Sequence, residues 1–435
     1  MMNQYLQRLN IELLKPMQIE AIKKIKPGKD VIILSPTGSG KTLSFLLPLI
    51  EMLSRSVNNV QALILTPTRE LTLQIEKVFK MMQTGHKVNV CYGGHPIRLE
   101  LNSLTVPPAV LIGTPGRIAD HIRRGSFVTD SVTFIVLDEF DKSLELGFED
   151  EMSFIIGSLS SINTHILTSA TASVEIPSFL KLKQPVRIDY TDREEKILLE
   201  KYWLRSPGND KLELLFNLIC NLGIEASVVF CNHREAVERI SSLLVEKEIS
   251  HGIFHGGMEQ EKREISLIKF RNGTHHILLT TDLASRGLDI PEIRNVIHYQ
   301  LPGSKTAWTH RNGRTARMGE GGKVWILLTE NDYIPEYIDE EIIEGSISSN
   351  VNLPPVAQWE TLYMSLGRKD KISRGDIVGF LMQVGNLEKD DIGKIEVLDY
   401  ASFAAIKKIK VNKTLRIVRG LPLKRKTIKI DVARG

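Results

Sequence analysis

Cysteine is scarce. The 435 residues hold three, Cys91, Cys220 and Cys231, widely separated and without the spacing of metal ligands. They read as ordinary residues of a reducing compartment. Long apolar runs are missing too: nothing approaches the roughly 20 residues that a membrane span requires. The opening stretch MMNQYLQRLNIELL has no basic start followed by an apolar core and a cleavage site, so a cytoplasmic location is the expectation. Disorder and fibre are excluded by composition, with 42% hydrophobic and 25% charged residues.

Charge of one sign is scarce overall, since the formal net charge is only +4. It is unevenly spread: residues 359–435 carry about +8 and residues 1–358 about −4. A mildly acidic body with a basic tail suggests that the tail supplies affinity for a polyanion.

The chain is too long for one core. Short apolar runs, each followed by a turn and an amphipathic stretch, recur as DVIIL, ALILT, VLIGT, FIVLD and HILTSAT. They predict a parallel sheet covered on both faces. A breaker cluster at 205–210 interrupts the pattern, which restarts with SVVFC, HGIFH, HILLTTD, NVIHYQ and KVWILLT. Two α/β units are expected, over 1–205 and 210–330. Residues 331–358 read as a linker, with 331–345 predicted helical. Residues 359–435 show a β-α-β-β-α-β order that suits a small α+β, RRM-like domain.

The segment Ser35-Pro36-Thr37-Gly38-Ser39-Gly40-Lys41-Thr42 follows the first strand and opens a long helix, the context that a phosphate-binding loop requires. Glycines let the backbone wrap a polyphosphate at a helix N-terminus. Lys41 is placed to reach the β- and γ-phosphates, and the Thr42 hydroxyl to bind Mg²⁺. About 100 residues later, Asp138-Glu139-Phe140-Asp141 sits at the end of a buried strand. Asp138 is expected to hold the same metal and Glu139 to polarise the attacking water.

With Ser169-Ala170-Thr171, these motifs stand in the order found in superfamily 2 helicases, and residues 9–330 resemble the DEAD-box RNA helicases. The resemblance implies two tandem RecA-like P-loop domains, ATP and Mg²⁺ as cofactors, and RNA as partner. Pro16-Met17-Gln18 resembles the Q motif, in which Gln18 would read the adenine edge; Ile11 stands where the family has an aromatic residue. Arg69, Gly94, Thr114 and Arg117 fall in segments resembling motifs Ia, GG and Ib, where backbone N–H groups and arginines meet RNA phosphates. In the second unit, residues 280–291 resemble motif V, with Thr281, Arg286 and Gly287 facing RNA and Asp289 the ribose. His310 to Arg317 resemble motif VI, in which Arg314 and Arg317 act as arginine fingers. Ser169, Thr171 and His310 are placed by the resemblance where the two sites are coupled. Asn312 replaces the usual Ile and Ala316 the usual Gly. His255 and His298 have no ligand set around them and read as ordinary histidines.

The tail resembles the C-terminal domain of DbpA-type helicases, which act on large-subunit ribosomal RNA during ribosome assembly. Arg368, Lys369, Lys371, Lys424, Arg425 and Lys426 are the expected phosphate contacts. Tyr363 and Phe403 are candidates to stack bases, with a core role as the alternative. The implied activity is ATP-driven local unwinding of structured RNA, 23S-type ribosomal RNA above all. An ATP-gated RNA clamp and a DNA-directed helicase of the same superfamily stay open. No heptad or other interface pattern appears, so a monomer is expected.

Overall fold

The computed structural model describes residues 2–36, 38–170, 175–191, 199–282, 293–315, 321–338, 341–348 and 351–434. Among them, no helix is long and apolar enough to cross a membrane.

Residues 31–34, 62–65, 110–113 and 134–137 are apolar runs buried along their whole length, so they settle as inner strands of a sheet covered on both faces. In space the seven strands run Val88–Cys91, Val110–Gly113, Ala62–Leu65, Phe134–Leu137, Thr164–Ser169, Val31–Leu34 and Val186–Asp189, every pair parallel. Phe134–Leu137, Thr164–Ser169 and Val31–Leu34 are adjacent. Their C-terminal ends therefore carry Asp138, Ser169 and the loop from Ser35 to one edge of the sheet, where open α/β sheets bind ligands. Ile11 is partly buried against this domain's core.

A second seven-stranded parallel sheet runs Gly252–Phe254, Ile277–Thr280, Ser227–Phe230, Asn295–His298, Gly322–Leu328, Leu199–Arg205 and Ile343–Glu344. Its last strand is a correction. The described residues of 331–345, a stretch predicted helical, are turn and extended chain instead, and Ile343–Glu344 pairs with Tyr202 and Trp203. The β-branched pair Ile342–Ile343 and a run of like charges weaken a helix there. Gly345 closes the contact: its N–H donates to Trp203 O, and a Cβ would meet Leu204 and Trp325 at 3.2 Å. Part of the expected linker is thus the edge of the second sheet.

The tail forms a four-stranded antiparallel sheet in the order Ile392–Val397, Ser402–Lys407, Trp359–Met364 and Ile430–Val432. Helix Arg374–Gln383 starts with a capping box, in which the Ser373 hydroxyl accepts from Asp376 N–H and the Asp376 carboxylate from Ser373 N–H. One sheet face packs Leu362, Met364, Ala404 and Ile406 against the helices. The other does not face solvent. Phe403 and Ala433 pack on Ile265 and Ile268 of helix Gln260–Arg271 in the second domain, with Tyr363 beside them. Burying a Phe contributes about 1.5–3 kcal/mol. Polar groups frame the contact: Thr361 Oγ1 bonds Asn272 Nδ2 at 3.1 Å and Thr274 Oγ1 at 2.7 Å, and Arg271 pairs with Glu396 at 2.8 Å. The two aromatic candidates therefore belong to the seam between tail and second domain.

Candidate functional site

In the first domain the chain turns sharply after Leu34. Gly38 and Gly40 hold φ of 86° and 95°, a region open to glycine and strained for other residues. At Gly40 a Cβ would also lie 2.5 Å from Gln18 Nε2. That amide donates to Gly40 O at 3.1 Å, while Gln18 Oε1 accepts from Lys15 N–H at 2.9 Å. The Q-like segment and the glycine loop are thus tied together directly. The Lys41 ammonium donates to the carbonyls of Ser35 and Pro36, inside the loop. Ser35 N–H donates to Ser169 O at 3.1 Å, joining the loop to the Ser-Ala-Thr segment. Ser39 is buried, and Thr42 stands in the first turn of helix Lys41–Met52. Thr37 and Thr171 lie outside the described residues.

Asp138 and Glu139 are both buried. Burial, then the neighbouring charge of Glu139, pushes the Asp138 carboxyl up to about 7, against a hydrogen bond from Thr168 and the charge of Lys41. Thr168 uses its hydroxyl twice: it donates to Asp138 Oδ1 at 2.5 Å and accepts from Glu139 N–H at 3.0 Å. Sequence reasoning missed Thr168, whose only signal is its place before Ser169. Glu139 itself has φ of 48°, an uncommon backbone state for a non-glycine residue that costs roughly 1–2 kcal/mol. The elbow turns the chain from strand into helix Phe140–Glu145 while Thr168 holds it.

The nucleic-acid candidates of this domain also come together. Arg69 opens helix Arg69–Met82, capped by the Thr68 hydroxyl. Its guanidinium fills the space beside Gly94, where a Cβ would lie 2.8 Å from Nη1 and φ is 84°. Thr114 N–H donates to Cys91 O at 3.2 Å, and Arg117 Nη1 to His95 O at 3.0 Å. Three segments distant in sequence, 67–71, 93–95 and 114–117, thus share one patch.

In the second domain the described candidates are Thr281, His310 and Arg314; Arg286, Gly287, Asp289 and Arg317 lie outside the described residues. His310 and Arg314 are buried. Arg311 is the residue that sequence reasoning passed over. Its side chain is fully buried, pairs with Asp282 through Nε at 2.6 Å and Nη2 at 3.1 Å, and donates to Gln300 O at 2.7 Å and Asn232 Oδ1 at 2.8 Å. It pins the helix Lys305–Asn312 to the strand ends. Asn312, unusual for the motif, has a partner: His298 Nε2 at 2.8 Å, in a ring stacked on Trp308.

His298 is a pH liability. Burial, with the nearby Arg311 charge, drops its imidazole to about 3. Below pH 6.5 the unfolded chain takes up a proton here that the folded chain refuses, so stability is lost as pH falls from 6.5 toward 3. Denaturant unfolding at pH 5 should show the second domain about 2 kcal/mol less stable than at pH 7 on this account. His298→Gln, which keeps a donor for Asn312, should remove its share of that dependence, with His275, also lowered to about 3 by burial, supplying another; an unchanged slope refutes the assignment.

On the tail, the six basic candidates converge from two turns. Lys426 Nζ reaches Asp370 at 3.0 Å, and Lys424 Nζ reaches Asp376 at 2.7 Å and Lys371 O at 3.1 Å. Arg368, Lys369, Lys371, Lys424, Arg425 and Lys426 are all exposed. Lys371, Lys424 and Arg425 all have positive φ, at 63°, 50° and 64°.

Three stretches of the chain match known families. The DEAD/DEAH box helicase family model matches residues 15–179, the helicase conserved C-terminal domain residues 210–319, and the DbpA RNA binding domain residues 361–432. The chain is 30% identical to the ATP-dependent RNA helicase DbpA of Escherichia coli (strain K12), over 98% of this chain and 95% of that protein. It is 31% identical to the protein of the same name from Bacillus subtilis (strain 168), over 93% and 91% respectively. Its fold matches Mss116p bound to single-stranded RNA and AMP-PNP with a TM-score of 0.70 and 26% identity, covering 79% of this chain and 77% of that one. Ordered motifs on two RecA-like parallel sheets, a DbpA-type tail and near full-length similarity together place the chain in the DEAD-box family of ATP-dependent RNA helicases, as a member of its DbpA-like branch.

Proposed function

We propose that this helicase remodels structured ribosomal RNA of the large subunit, 23S-type, during ribosome assembly, and that its tail selects the site. The observation carrying this reading is the exposed basic cluster formed by residues 368–371 and 424–426 on a DbpA-type domain. Phosphate contacts position such a domain on folded RNA. With the aromatic sheet face used against the second domain, the exposed basic residues of the tail, this cluster among them, are left to meet RNA.

In the proposed cycle, N–H groups of residues 36–40 cradle the ATP phosphates and Gln18 reads adenine. Glu139 accepts the proton of the attacking water, and Arg314 and Arg317 approach the γ-phosphate from the second domain, with Asp289 on the ribose. Thr42 and Asp138 are the residues that would hold Mg²⁺. The adjacent buried acids Asp138 and Glu139 fit a divalent cation, because their mutual repulsion favours one. When bound, the ion neutralises phosphate charge. RNA lies along the patch of Arg69, Gly94, Thr114 and Arg117 and along Thr281, Arg286 and Gly287. Each ligand favours the closed pairing of the domains, so ATP and RNA bind cooperatively, coupled through Ser169, Thr171 and His310. Closure bends one strand and parts a short duplex; phosphate loss releases it.

Crosslinking the protein to cellular RNA and sequencing the product tests the target. Large-subunit ribosomal RNA should be enriched, and Lys369→Glu with Arg425→Glu should abolish the enrichment. Recovery of the same RNA by that double variant, or of messenger RNA alone by the parent protein, would overturn the reading.

A further inference from the structure

Glu100 was not a candidate from sequence, yet its carboxylate is the most heavily bonded buried acid in the first domain's nucleic-acid patch. It lies in helix Ile97–Leu104, just past the Gly93-Gly94 turn, and is 1% exposed. Oε1 accepts from Tyr92 N–H at 3.1 Å and from His95 Nδ1 at 3.1 Å. Oε2 accepts from Arg117 Nη1 at 2.7 Å and His121 Nε2 at 2.8 Å. Burial alone would push this acid up, but hydrogen bonds from His121, Arg117 and Tyr92 outweigh it and hold the group low, so it is a buried anion.

The four donors come from two places. Tyr92 and His95 flank the glycine turn, while Arg117 and His121 belong to helix Pro115–Arg123, which begins at Thr114. Arg117 spans both: the Nη1 that reaches Glu100 also reaches His95 O at 3.0 Å, and its side chain is only 16% exposed. Nη1 is committed in this way to two internal acceptors, one on each segment. Cys91, Glu100 and His121 also offer ligand atoms within 4.8 Å of one another. Arg117 sits on the same carboxylate, however, and its charge opposes a cation there.

We infer that Glu100 is a positioning residue for RNA binding. It locks the glycine turn and the Thr114 helix start into one rigid surface whose backbone N–H groups meet the phosphates, with Arg117 Nη1 as its strut. This rests on the reading of that patch as the RNA track.

The test is single-stranded RNA binding by the full chain with a non-hydrolysable ATP analogue across a salt series. Glu100→Gln and Arg117→Ala should each weaken binding about tenfold, and the double variant should be no worse than either, since both break one unit. A strut leaves the slope of log K against log salt unchanged, whereas a lost phosphate contact reduces it by about 0.7. A reduced slope for Arg117→Ala, or full affinity for Glu100→Gln, overturns the positioning role. Should Glu100→Gln fail to fold, Arg117→Ala carries the test with thermal unfolding as its folding control: the tenfold loss at unchanged slope is expected, and full affinity overturns the strut. Arg69→Ala and Gly94→Ala separate the two levels. If they leave affinity intact, the RNA track itself is wrong and the inference falls with it. If they weaken binding while Glu100→Gln does not, the positioning role alone fails.

Discussion

Glu139→Gln is expected to lower ATP turnover by about 10²–10⁴-fold while ATP and RNA binding persist. The substitution is nearly isosteric and removes only the proposed base. Its backbone sits at φ 48°, held by a hydrogen bond from its own N–H to Thr168, which the side-chain change does not touch. Asp138 keeps its own bond from Thr168, and losing the neighbouring charge relieves one of the two largest causes that raise its pKa. Nucleotide affinity should therefore hold or rise. Lys41→Ala is the contrasting variant, since it removes the cation proposed to bind phosphate and should impair binding and turnover together. Steady-state phosphate release, with thermal unfolding as the control for folding, reads both. Turnover within tenfold of the parent enzyme in Glu139→Gln would mean that another group takes the proton.

What could be read from sequence follows from how each site is built. A phosphate loop is made by consecutive residues whose N–H groups point one way, so Ser35 to Thr42 announces itself in a row. The same holds for Asp138 and Glu139 after a four-residue apolar strand. Glu100 and Arg311 act through space, across gaps that sequence order does not measure. Glu100 joins residues 92, 95, 117 and 121, brought together because Val88–Cys91 and Val110–Gly113 are neighbouring strands. Arg311 looks from sequence like a solvated arginine, yet its side chain is wholly enclosed.

Segments with two competing roles were the other source of error. Residues 331–345 have the length of a helix, but Ile343–Glu344 instead pairs at the open edge of Leu199–Arg205. In the tail, strand Trp359–Met364 is apolar on both faces, and Tyr363 with Phe403 fits either base stacking or packing. Only the tertiary partner, Ile265 and Ile268 on the second domain, decides between them. Removing residues 359–435 would bare that apolar surface, so substitutions in the basic cluster are a cleaner probe of the tail than truncation.

Arg314→Ala should reduce kcat by about 10³–10⁵-fold, the range for arginines that stabilise phosphoryl transfer, with a much smaller effect on ATP affinity. The reason is that charge builds on the γ-phosphate oxygens in the transition state more than in bound ATP. Arg314→Lys keeps a charge but loses the planar fork, so it should recover only a small part of the rate. Arg311, three residues earlier, provides the contrast. Its guanidinium is consumed by Asp282, Asn232 and Gln300 O, and Arg311→Ala would leave the Asp282 carboxylate without its bidentate partner. That variant should unfold at lower temperature, because it empties an enclosed site and strips Asn232 and Gln300 O of donors, at about 1–3 kcal/mol each, while Asp282, 35% exposed, is left to water. Two arginines on one short segment are thus expected to separate cleanly, one visible in turnover and the other in stability. Single-turnover hydrolysis beside thermal unfolding of both variants measures this. If Arg314→Ala loses its rate only in proportion to lost fold, or Arg311→Ala unfolds at the parent's temperature, the division of roles between these two arginines is wrong.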